Sequence, residues 1–220
     1  MSDLDAVLGD DRDAPFPGGF DEFDERQPSR ARRRRALAGA MVVLLILLIV
    51  VGAVFGPTEW RLFQARGIRV DTPKQVAGLT VDDNADAADT ADYLRTVLDA
   101  RMALTATTGA VYQDGTGNAD RSVIVIGGRG LASNPGHRLD VALDLISDEA
   151  GAVTGVHRVP AGPLGGVMKC GTTATDGGGS MTVCGWADYG SVALVLLPGR
   201  TVDDGATLTR DLRAGVEHRS

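Results

Sequence analysis

Hydrophobic positions divide this chain into three stretches with different patterns. Residues 1–35 mix acids, arginines, prolines and glycines with no apolar period. From Ala36 to Phe55 there is no charge for 20 residues, and Met41 to Val51 is Met, Val, Leu and Ile without a break. A helix rising about 1.5 Å per residue would carry 20 residues across a hydrocarbon core of roughly 30 Å, so this pattern predicts one transmembrane helix over 36–56. Residues 57–70 read as a juxtamembrane linker and 71–220 as one domain.

Within that domain the period changes repeatedly. "GIRVDTPKQVAGLTV" is an extended segment broken by Pro73 and Gly78. Ala87, Ala91, Leu94, Leu98 and Met102 recur at spacings of three and four, which predicts one face of a helix of about five turns. Gly109–Gly117 and Arg121–Gly128 follow as two strands, the second carrying the apolar run of "SVIVIGG". Asn134-Pro135 has the form of a helix cap followed by proline at the first position, and Leu139, Leu143 and Ile146 supply that helix's inner face. Four strands come next, "AVTGVHRV", "LGGVMKCGTT", "SMTVCGWAD" and "SVALVLL". Their turn-rich connections are too short for parallel crossovers. "TVDDGATLTRDLRAGVEHR" is predicted as a closing helix. The order βαββαββββα with consecutive hairpins implies an α+β fold, an antiparallel sheet carrying about three helices on one face or both.

Charge sets the expected topology. Arg26, Arg30, Arg32, Arg33, Arg34 and Arg35 precede the apolar stretch, whereas Arg61, Arg66 and Arg69 follow it. That bias places the N-terminus in the cytoplasm and the C-terminal domain outside it, with Trp60 at the outer interface. A cleavable signal peptide fits less well, because the leading segment and the apolar run are both too long. Too few aliphatic residues occur in the arm to build a core, so disorder is expected for 1–35. Phe16, Phe20 and Phe23 punctuate its acids in the manner of a docking motif. The arginine cluster after them would contact anionic headgroups.

The net charge of −7 divides into seven arginines against nine acids in 1–35, and fifteen basic against twenty acidic residues beyond. An acidic domain argues against nucleic acid as a partner. The integral partner is then the membrane, and a second envelope protein is the expected soluble-side contact.

Compartment also decides the chemistry of the two cysteines, Cys170 and Cys184. They fall in adjacent hairpin strands of a domain expected in an oxidising space, so a disulfide is the simplest reading. A metal site would need further ligands, and neither C-x-x-C spacing nor a Cys–His–Asn pattern occurs. In "TVCGWAD" a period of two puts Cys184, Trp186 and Asp188 on one face. Trp186 reads as core packing beside the disulfide and Asp188 as a cap of the turn "DYGS". Partner binding is the alternative role for both.

The segment Cys170-Gly171 followed by Val183-Cys184-Gly185-Trp186-Ala187-Asp188 resembles a group of membrane-anchored or exported actinobacterial proteins. They share a basic cytoplasmic end, one membrane helix and an α+β domain ending in a Cys-paired sheet. The resemblance implies compartment and fold and carries over no catalytic residue.

Other motifs lead to no cofactor. Gly128-x-Gly130 is followed by Ser133 where a dinucleotide site needs glycine. Asp82, Asn84 and Asp86 alternate as in a calcium loop, but Ala87 and Tyr93 stand where Gly and Glu are required. His137, His157 and His218 are scattered, and no nucleophile or zinc signature occurs. The expectation is a bitopic envelope protein with an extracytoplasmic binding module. The alternatives are an extracytoplasmic hydrolase with an unrecognised site, or a transmembrane regulator signalling through its arm.

Overall fold

A computed structural model describes residues 37, 39–53, 65, 67–116, 121–147, 151–175 and 179–219. Phe16, Phe20, Phe23, Arg32 to Arg35 and Trp60 lie outside the described residues, as do residues 1–36 as a whole and both ends of the expected membrane span.

The chain divides into Met1–Ile49 and Val50–Ser220. Residues 37 and 39–53 are helical (α1), and each residue from Met41 to Val51 is between 50% and 68% exposed. No helix among the described residues is long and apolar enough to cross a membrane.

The C-terminal domain is α+β. Among the described residues, ten strands and three helices follow α1: β1 (Ile68–Val70), β2 (Gln75–Val76), β3 (Leu79–Val81), α2 (Ala85–Met102), β4 (Ala106–Gln113), β5 (Val123–Arg129) and α3 (Pro135–Ile146). The chain then continues through β6 (Thr154–Val159), β7 (Val167–Ala174), β8 (Ser180–Ala187), β9 (Ser191–Pro198), α4 (Val202–Val216) and β10 (Glu217–Arg219). Eight strands form one sheet in the order β2-β3-β4-β5-β9-β8-β7-β6, and β1 pairs with β10 in a separate ribbon. Every pairing is antiparallel.

The expected hairpins β6 to β9 form as read. Two differences stand out. The first extended segment is three short strands, because Ala77 and Gly78, both at positive φ, turn β2 back on β3. The C-terminal helix stops at Val216, where Glu217 takes extended backbone and β10 pairs with β1.

Helices cover both faces of the sheet. On one face α4 packs over Val123, Val125, Cys184, Trp186, Val195 and Leu197. On the other, Leu98 of α2 and Leu139, Ala142 and Leu143 of α3 pack on Ile126, Val183, Val192 and Leu194. Because β5 and β9 sit centrally and are covered on both sides, their sequences are continuous apolar runs rather than alternating ones. Asn84 and Asn134 cap α2 and α3 through their side-chain oxygens, accepting from Ala87 N at 2.9 Å and His137 N at 3.1 Å. Thr201 caps α4 in the same way.

Candidate functional site

Three features merit a functional reading: the disulfide with its surroundings, a buried ion cluster at one end of the sheet, and the seam between α2 and α3.

Cys170 and Cys184 stand directly opposite each other on β7 and β8 and form a disulfide, with Cα atoms 4.1 Å apart and both residues fully buried. Trp186, two residues along the same face, is also fully buried, with its indole Nε1 unpartnered. Asp188 is 4% exposed, and its Oδ1 accepts from the backbone of Gly190 at 2.8 Å and Ser191 at 2.7 Å. The structure therefore gives Trp186 to the core and Asp188 to the turn, and neither presents a surface.

Asp188 has a second occupation that the sequence did not signal. Its Oδ2 accepts from Arg213 of α4 at 3.2 Å and Arg219 of β10 at 3.0 Å. Arg213 also donates from Nε to Glu217 at 2.9 Å and from Nη1 to the Gly165 carbonyl at 2.6 Å. Glu217 takes the Ser191 hydroxyl at 3.2 Å and two donors of Arg219. Two carboxylates meet two guanidinium groups, so the buried charge is balanced. Burial and the neighbouring Glu217 push Asp188 upward from its ordinary value. Burial alone would raise Glu217 too, but the hydrogen bonds and charge of Arg213, with Arg219, hold it below. The Arg213 guanidinium carbon lies 5.8 Å from the Trp186 ring centroid, within cation–π range. The cluster ties α4, β10, the β8–β9 turn and the loop before β7. Arg213 and Glu217 are spaced i,i+4 on a helix end, a pattern that in sequence is the same as a solvated pair.

The seam between α2 and α3 holds two openings among the described residues. α2 approaches the sheet through small residues, Ala87 and Ala91, and α3 through Leu139, Ala142 and Leu143. Between them lies a groove of about 290 Å³ with Ile126, Leu194 and Leu196 in its lining. Leu94, Val97 and Leu98 come from α2, Leu145 and Ile146 from α3, and Met181 from β8. Tyr93, 62% exposed, is the one lining residue with a polar side chain.

One turn along both helices is a second, polar cleft of about 350 Å³, lined by Arg101 and Met102 of α2, Leu131–Asn134, and His137, Arg138 and Val141 of α3. Val97 and Arg101 are i,i+4 on α2, and Val141 and Leu145 are i,i+4 on α3, a spacing of about 5–6 Å. Arg138 donates to the Leu131 carbonyl at 2.8 Å and the Met102 carbonyl at 3.3 Å, capping the end of α2. Its Nε is buried without a partner. Burial lowers its pKa, and among the described residues no carboxylate pairs with it. Gly130 makes room for this guanidinium, since a Cβ there would lie 2.6 Å from Arg138 Nη2.

Among the described residues no group of three or more His, Cys, Asp or Glu is placed to hold a metal. Asp82 of the calcium-like stretch instead holds Asn84 and Gln113. His157 and His218 lie on β6 and β10. No family model, curated protein or solved structure matches this chain.

Proposed function

We propose that this chain is a single-pass envelope protein whose α+β domain lies outside the cytoplasm and serves as a binding module. The observation that carries the binding reading is the α2–α3 groove, whose lining is aliphatic apart from Tyr93 and holds no acid, base or nucleophile to act on a substrate. The anchor rests on the charge-free stretch from Ala36 to Phe55 and on the exposure of Met41 to Val51 all round the helix. The six arginines ahead of that stretch favour a cytoplasmic N-terminus. The buried disulfide fits an oxidising compartment. This plan is the one implied by the resemblance to actinobacterial envelope proteins, with a second envelope protein as the expected partner.

Lys74 and Lys169 are the only lysines in the chain, and Lys74 is exposed. A membrane-impermeant amine reagent on intact cells is therefore expected to modify Lys74 and spare the N-terminal amine until the cells are opened. Modification of the N-terminal amine alone would reverse the orientation and defeat the proposal. Crosslinking in cells, with the full chain and one lacking residues 1–25, is expected to capture a partner common to both. A partner lost with the arm would transfer the function to the cytoplasmic side.

A further inference from the structure

The two openings on the α2–α3 seam differ in chemistry and follow each other along the same pair of helices. Val97 and Leu145 line the apolar groove, and one turn further along Arg101 and Val141 line the polar cleft. A ligand occupying both would need a hydrocarbon part and, joined to it, a group suited to a cation. Groove volume limits the first part. Taking a methylene as about the size of a water, roughly 30 Å³, 290 Å³ accommodates about ten carbons of one chain. The cation is Arg138. Its hydrogen bonds go to the carbonyls of Leu131 and Met102, among the described residues no carboxylate pairs with it, and its Nε lacks a partner. A neutral hydrocarbon would satisfy the groove and leave this guanidinium without a formal counter-charge; a free anion would leave the groove filled with water.

We propose that the α2–α3 seam binds a single-chain anionic amphiphile of about ten carbons, its chain in the apolar groove and its head group at Arg138. The proposal rests on the binding-module reading and adds the ligand class. A carboxylate or similar head group meeting the guanidinium forms a charge-assisted hydrogen bond, the stronger kind. The chain removes the aliphatic lining from water. Tyr93 stands at the rim of the groove and is well placed to cover the bound chain.

The test uses the full chain in phospholipid nanodiscs with two photoactivatable probes of equal length, decanoate and decanol, each carrying a diazirine near the chain end. After illumination, mass mapping is expected to place the decanoate label on peptides containing Tyr93–Leu98 or Leu145–Ile146. Arg138→Gln should raise the probe concentration for half-labelling about tenfold for decanoate and little for decanol. Arg138→Lys, which keeps the charge, should restore much of the loss. Val97→Trp, which fills the groove, should abolish seam labelling by both probes while the unfolding midpoint stays near that of the parent chain. Label confined to residues 36–55 would overturn the site. Equal labelling of the seam by both probes, unchanged in Arg138→Gln, would overturn the anionic head group. Either failure alongside a captured common partner would leave the binding-module reading intact and remove only this ligand.

Discussion

The guanidinium of Arg213 reaches Asp188 at 3.2 Å, with side chains 1% and 6% exposed, and so joins the last helix to the turn between β8 and β9. Glu217 and Arg219 complete the cluster, which brings the C-terminal strand and its partner β1 under the same control. Through β10 the cluster is thus tied to β1, the first strand described in this domain.

Arg213→Met should be among the costly single substitutions, at about 3–5 kcal/mol, because it leaves Asp188 and Glu217 buried with one cation between them. Denaturant unfolding of the full chain in detergent micelles measures it. A loss below about 1 kcal/mol would show that water or Arg219 takes over the role of Arg213.

Glu217 and Asp188 should respond to pH in opposite senses. Glu217 is held below its ordinary value of 4.5, so its contribution is present above that value and is lost as pH falls through its folded-state pKa. Glu217→Gln should therefore destabilise at pH 7, with the gap to the parent chain closing at strongly acid pH. Asp188 is raised, so ionising it opposes folding, and Asp188→Asn should cost less at pH 7 than Glu217→Gln. Unfolding midpoints across pH 3–7 decide both.

Tyr112 gives an alkaline counterpart. Its hydroxyl donates to the Pro73 carbonyl at 3.0 Å, and burial, with the charge of Asp71 behind it, pushes its pKa up to about 12. The unfolded chain releases this proton near pH 10.0, so the stability it confers is full below pH 10.0 and falls as pH rises toward about 12. Tyr112→Phe should flatten that part of the pH–stability curve, and ultraviolet titration of phenolate should lose its latest component.

Replacing both Cys170 and Cys184 by alanine should lower stability by about 3 kcal/mol, from the entropy of the freed loop in the unfolded chain. The voids left in the core would add to this. Unfolding with and without reductant checks it: the parent chain should be sensitive to reductant and the double variant should not.

Ala77→Asn should stabilise the domain, because asparagine tolerates the left-handed region better than alanine does. Ala77 sits at φ 51° ahead of Gly78 at φ 77° in the two-residue turn from β2 to β3. Asparagine followed by glycine is the favoured pair for that geometry, and alanine is not. Thermal unfolding of the variant should show a small rise in midpoint.

Much of this architecture is local and was legible in the residues. Asn134-Pro135 starts α3 because a side-chain oxygen and a missing N–H both suit a first helical turn. β6 to β9 form consecutive hairpins because their connections are too short for any other path. Cys170 falls opposite Cys184 because the hairpin register puts it there. What local patterns lack is information about non-adjacent partners. β9 lies beside β5, with Val195 opposite Val125, 70 residues earlier, and Leu194 opposite Ile126, 68 residues earlier, and nothing in either apolar run specifies the other. The placement of α2 and α3 on one face and α4 on the other follows from which side chains fit which surface. It creates the seam, and Arg138 gains its position there only when α3 meets the end of α2. The residues by themselves set the apolar N-terminal stretch, the α+β class and the disulfide, because periodicity, charge bias and turn chemistry act over a few neighbours. Only the tertiary structure decided the buried Arg213–Asp188–Glu217 cluster and the groove, because an ion pair is buried, and a groove left open, by packing between segments far apart in the chain.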